Sequence, residues 1–213
     1  MMELFGSALV TFLVIIDPPG CAPIFASLTR GTDVAHRRAM ALRSCVVAWA
    51  VLMFFALLGR PMLQALGISL ASFRIAGGVM LFMIALDMVF ERRTQRREER
   101  AHAIEGTPAA EDISVFPMAI PMIAGPGSIA SAMLWVSRAE GGSQVLIVLA
   151  AITVVILLTL LALLAAGRLM QLIGERIEAM ITRILGVILA ALAAQFIVDG
   201  LRESFPVLAG AIA

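Results

Sequence analysis

The order of apolar and polar positions along the chain predicts membrane helices. Six runs are apolar and of roughly the length a bilayer crossing needs, about 17–25 residues: 4–28, 39–58, 73–90, 115–136, 145–166 and 183–198. The third and sixth are short, and each follows a semi-apolar piece, "RPMLQALGISLAS" and "RLMQLIGERIEAMIT". In the second piece Met170, Ile173, Ile177 and Met180 recur at helical spacing, with Glu175, Arg176 and Glu178 between them. That spacing predicts an amphipathic helix lying at the interface. One polar stretch, "ERRTQRREERAHAIEGTPAAED", separates the third and fourth runs and reads as a charged cytoplasmic linker. The expected organisation is all-α: a three-helix unit over residues 1–90, the linker over 91–113 and a second three-helix unit over 114–213.

Composition sharpens this to an integral membrane protein with the lipid bilayer as its main partner. Of 213 residues 61% are apolar and 15% charged, whereas a soluble domain is about 45–50% apolar. A net charge of +1 leaves no basic field for nucleic acid. Cys21 and Cys45 lie in separate apolar runs, and His36 and His102 lie in polar segments. No metal or redox cluster is expected, and no cofactor. The chain has no P-loop, no HExxH and no GxSxG, so neither ATP hydrolysis nor a membrane-embedded enzyme is expected. The N-terminus before the first run has Glu3 as its only charge and no basic region, so that run is read as a retained span rather than a signal peptide.

Arginine supplies the orientation, since all 16 basic residues are arginine. With the N-terminus outside, 12 of them fall on the cytoplasmic side and 4 outside, which predicts N-out/C-out with six crossings.

The chain also repeats itself. "GRPMLQALG" from Gly59 resembles "GRLMQLIG" from Gly167, and "FRIAGGVML" from Phe73 resembles "TRILGVILA" from Thr182. "PPGCAPI" aligns with "GPGSIAS", setting Pro19 and Gly20 on Pro126 and Gly127. Three crossings per half is an odd number, so the second half enters the membrane inverted. Secondary transporters are often built from such halves, with sites where broken helices meet.

Both aligned stretches interrupt an apolar run. Residues 4–16 before Asp17 make about 20 Å of helix, and 115–124 make about 15 Å. Both interruptions would fall inside a hydrocarbon core about 30 Å thick, so helices 1 and 4 are predicted to break at mid-membrane. Pro18, Pro19 and Pro23 withhold backbone N–H groups in the first, as Pro117, Pro121 and Pro126 do in the second. Gly20, Gly125 and Gly127 permit unusual backbone angles. Amides at the start of each second half-helix suit a carboxylate, and carbonyls before the break suit an ammonium group or sodium ion. Together they would match a small zwitterionic solute. A pair of kinks serving only packing is the plainer alternative.

Asp17 is the sharpest single residue, because an ionisable group at membrane depth is expensive. It would hold the solute's ammonium, a sodium ion or a transported proton, and it also suits an N-cap. Ser128 and Gln195 are polar, deep and placed to line a cavity. Asp87 and Asp199 lie near the ends of the third and sixth runs, where they reach the interface. Gly77, Gly78 and Gly186 are expected to let helices pack closely.

The stretches "DPPGCAPIFASLT", "FRIAGGVMLFMIALDM", "FPMAIPMIAGPGSI" and "RILGVILAALAAQFIVDGL" span nearly the whole chain. They resemble, in order, those of the MarC family of bacterial inner-membrane proteins. The resemblance implies a multi-pass inner-membrane protein. Relatives in that family include transporters of small neutral amino acids such as glycine and alanine. One departure is Pro18-Pro19, where the family pattern has a single proline after the aspartate. The leading expectation is therefore a secondary transporter of small neutral amino acids coupled to Na+ or H+. Export of another small solute, or a non-transport accessory role, stands as the alternative.

Overall fold

The computed structural model describes residues 1–92, 95, 96, 99 and 112–205, with the backbone path alone for 167–176 and 178. His102 and most of the linker lie outside the described residues. The elements are α1 (Met2–Ile16), α2 (Pro18–Leu28), α3 (Val34–Ala65), α4 (Leu70–Val89), α5 (Ser114–Ile123), α6 (Pro126–Arg138), α7 (Gly142–Leu164) and α8 (Ala166–Ser204). Among the described residues there is no strand.

Local chemistry sets several boundaries. The Asp33 carboxylate accepts the Ala35 N–H at 3.0 Å and caps α3. Ser69 accepts the Ser72 N–H at 3.1 Å and starts α4. Gly67, at φ +69, makes the turn between them.

Five helical stretches are long and apolar enough to cross a membrane: Met2–Leu28, Val34–Ala65, Leu70–Val89, Gly142–Leu164 and Ala179–Ser204. The bent pair α5–α6 makes a sixth if counted as one span. The distribution of burial fits lipid as the outer solvent. Phe12, Phe25, Ile16 and Leu52 are fully buried, while Met83, Leu157, Leu161 and Val187 face outwards. A soluble protein rarely exposes so continuous an apolar surface.

Two length expectations are corrected. The piece after Leu58 continues α3 to Ala65, through Arg60 and Pro61. Burial holds it there: Leu63 is buried, and Gly59 lies against Met133 of α6. Likewise the amphipathic piece is the first part of one unbroken helix of 39 residues, α8, which contains no proline to end it. Ile177 and Met180 are exposed and Thr182 is buried, while the side chains of 168–176 and 178 lie outside the described residues.

Helices α4 and α8 pack antiparallel along their length on glycine. A Cβ at Gly78 would sit 2.9 Å from the Ala193 carbonyl oxygen, at Gly200 2.8 Å from that of Ala71, and at Gly186 3.1 Å from that of Ala85. These positions bring two backbones into contact, as expected for Gly78 and Gly186. Gly77 makes room between α4 and α6 for the Leu134 side chain.

Ion pairs fall into two groups. Arg43–Asp112 (2.8 Å), Asp87–Arg96 and Glu91–Arg183 (2.5 Å) lie where α3 begins and α4 ends. Arg74–Glu203 and Arg138–Asp199 lie where α4 begins and α6 and α8 end. Among the described residues, every pair joins residues that alternating crossings put on one side. The Ser114 hydroxyl and backbone N–H, then Arg43, hold the Asp112 carboxyl below its usual range.

Candidate functional site

α1 gives way to α2 at a single residue. Asp17 adopts φ 58, ψ 67, a left-handed conformation that aspartate tolerates better than most residues. Its N–H donates to the Leu13 carbonyl at 3.0 Å, closing α1, and its carbonyl accepts from Cys21 N–H at 3.0 Å, opening α2. Its carboxylate oxygen Oδ1 accepts the Gly20 N–H at 3.2 Å. Pro18 and Pro19 fill the first turn, where a missing N–H costs least. Pro23 sits inside α2. The Cys21 thiol donates to the Ile16 carbonyl across the interruption at 3.4 Å. Asp17 is 2% exposed, so a carboxyl group with a helix start in front of it is held inside the bundle.

The second interruption is larger. α5 is a wide coil whose N–H groups reach five residues back: Met118 to Ile113 at 3.2 Å and Ala124 to Ala119 at 2.8 Å. The Phe116–Pro117 and Ile120–Pro121 peptides are cis, and Phe116 and Ile120 are extended. α6 then leaves at 54° to α5. At the corner a Cβ on Gly125 would lie 2.5 Å from the Pro121 carbonyl oxygen, so only glycine fits. Pro126 opens α6, and the Ser128 hydroxyl donates to the Ile123 carbonyl at 2.8 Å.

The two interruptions meet. A Cβ built on Gly127 would fall 3.5 Å from Ile15, two residues before Asp17, and 2.4 Å from Ile84 of α4. The contact brings the start of α6 against the end of α1, 112 positions earlier in the sequence.

Residues 2–205 match the sequence pattern described as MarC family integral membrane protein. The chain belongs to the MarC family. It is 36% identical over 201 residues to the UPF0056 membrane protein of Methanocaldococcus jannaschii, covering 94% of this chain and 97% of that one. It is 32% identical to the UPF0056 inner membrane protein YhgN of Escherichia coli K12, covering 92% and 95%. With the UPF0056 membrane protein YvbG of Bacillus subtilis it shares 30% identity over 98% and 99%. No solved structure matches it.

In this MarC-family chain the expected site residues fall in three places. Asp17, Pro18, Pro19, Gly20 and Pro23 lie along one interruption, and Gly125, Pro126, Gly127 and Ser128 along the other, in contact with the first through Ile15. Asp87 stands apart, paired with Arg96 at the linker end. Gln195 and Asp199 form a separate group. The Gln195 amide donates to Asp199 at 2.7 Å, and Arg138 pairs with the same carboxylate. The Arg138 guanidinium lies 4.2 Å over the Phe196 ring, and Trp135 meets Phe196 edge-on at 6.2 Å. Asp199 therefore does more than reach the interface. Sequence reasoning used Arg138 only to count charge and passed over Trp135; an arginine and a tryptophan three apart at a helix end were the available signal.

Proposed function

We propose that this protein is a secondary carrier of small zwitterionic solutes, small neutral amino acids first among them, driven by a sodium or proton gradient. One observation carries the reading: two proline–glycine interruptions from opposite halves of the chain meet inside the bundle, beside a buried carboxyl group. Packing alone gives no reason for two separate helices to forfeit backbone hydrogen bonds at the same depth. A carrier does, since its half-helix ends bind the solute's charges.

The reading includes an inverted repeat with mid-membrane breaks in its first and fourth crossings. The packing pattern supports it. α1 and α2 lie on α7 as α5 and α6 lie on α3, α2 lies on α8 as α6 lies on α4, and α3–α7 and α4–α8 pair across the halves. Exchanging the halves maps these major pairings onto one another. In this scheme Asp17 takes the solute ammonium or the coupling cation, and the α6 amides near Gly127 and Ser128 take the carboxylate. The membrane is the bacterial inner membrane, with both termini outside.

Purified protein in liposomes tests the proposal. Under an imposed sodium or proton gradient it takes up labelled glycine, alanine or serine. An absence of gradient-driven uptake across a broad amino-acid panel rejects it.

A further inference from the structure

A cavity of about 450 Å³ opens between the start of α1, the end of α6 and the start of α7, with Glu3, Ser7, Trp135, Arg138, Glu140 and Gln144 on its walls. At its wall and one turn below it, two polar side chains on α6 are buried without a hydrogen-bond partner: the Trp135 indole N–H and the Ser131 hydroxyl, in residues 6% and 0% exposed. Buried polar groups are nearly always satisfied, so each orphan asks for a missing partner. Ser128, Ser131, Trp135 and Arg138 fall within one face of α6 by helical spacing, covering about 15 Å from the second interruption to the cavity.

The facing helix carries a matching row. The cavity brings Glu3 of α1 level with Arg138, and Gly127 lies against Ile15. These two ends fix an antiparallel register that sets Ser7 near Trp135 and Thr11 near Ser131. Thr11 is buried, and its hydroxyl donates to the Ser7 carbonyl at 2.7 Å.

We propose that the α1–α6 seam is the outer half of the solute path, with the cavity as its mouth and Arg138 as the group that reads the carboxylate. Arg138 is held by Asp199 over the Phe196 ring and faces two carboxylates at the mouth, Glu3 and Glu140. An incoming zwitterion exchanges partners with this set: its carboxylate replaces Asp199 on the guanidinium, and its ammonium meets Glu3 or Glu140. The Trp135 N–H and Ser131 hydroxyl then satisfy the carboxylate or its water as it descends towards Gly127. The ligand assignment rests on the carrier reading; the existence of a wetted seam does not.

Single cysteines in the reconstituted full chain separate the two. A membrane-impermeant, positively charged methanethiosulfonate is added from the cavity side, and the parent chain, whose Cys21 and Cys45 are buried, sets the background. Ser131→Cys and Thr11→Cys react at least about tenfold faster than Leu157→Cys on the lipid face, because the thiolate that reacts forms in water. Glycine, alanine or serine slows Ser131→Cys labelling. Arg138→Gln raises the concentration needed for that protection about 10- to 100-fold, as expected for one lost charge-assisted hydrogen bond, and Arg138→Lys restores part of it. Labelling no faster than Leu157→Cys overturns the path, even where uptake shows the protein to be a carrier. Labelling with protection that Arg138→Gln leaves unchanged overturns the role of Arg138. Fast labelling without uptake or protection keeps the seam and rejects the carrier and the ligand.

Discussion

At the residue scale, Asp17 does two jobs that substitution can separate. Its left-handed backbone and its bond to the Gly20 N–H are structural, and asparagine reproduces both. Asp17→Ala loses the cap and the tolerance for φ 58, so thermal unfolding in detergent shows it destabilised by about 1–2 kcal/mol. Asp17→Asn melts within about 0.5 kcal/mol of the parent, since only the charge is gone. Equal melting of Ala and parent would show that the cap is idle. Gly125 gives a second prediction of the same kind. Its Cβ would press on the Pro121 carbonyl, a backbone atom with nowhere to go. Gly125→Ala therefore costs about 1–3 kcal/mol in the same melt, whereas Gly6→Ala, with open space around it, costs nothing measurable or gains slightly from helix propensity.

At the scale of elements, the α4–α8 pairing depends on close backbone approach without a hydrophobic driving force in lipid. Gly78→Ala should part these helices and lower stability by about 1–3 kcal/mol, read as an earlier melt; an unchanged melt would mean that the contact does not hold the pair. Gly78 and Gly186 were legible beforehand because small residues on a membrane helix have few other uses, whereas Gly200 was not singled out. Most spans were legible too: five expected runs are helices long and apolar enough to cross a membrane, the bent pair α5–α6 is a sixth if counted as one span, and proline and glycine marked where α1 and α5 end. Helix ends were less so. Arg60 and Pro61 looked like the end of a crossing, yet α3 carries through them, with Leu63 buried and Gly59 against Met133 of α6. Tertiary contact, absent from a hydropathy pattern, decided that boundary. The α5 coil escaped for a related reason: Pro117 and Pro121 announce a disturbance, but the two extended residues within it and the 54° bend depend on how the chain meets its neighbours. The Arg138–Asp199–Gln195 group joins residues 61 and 57 positions apart through the packing of α6 and α8, which periodicity does not encode.

At the scale of the whole molecule, the ion pairs among the described residues sort into two ends, and the proposed orientation sets the Arg138–Asp199 end outside. In intact cells an impermeant thiol reagent should label Glu140→Cys, in the turn before α7, and spare Thr32→Cys, in the turn before α3. The reverse pattern would invert the orientation without disturbing the fold. The central claim is that two interruptions from opposite halves make one solute site around Asp17. It is tested most directly by gradient-driven uptake of labelled alanine, glycine and serine into liposomes holding equal amounts of folded parent or Asp17→Asn. The account predicts that the parent concentrates at least one of these solutes and that Asp17→Asn, folded as well as the parent, loses at least about 90% of that uptake. Equal uptake by the two would contradict it.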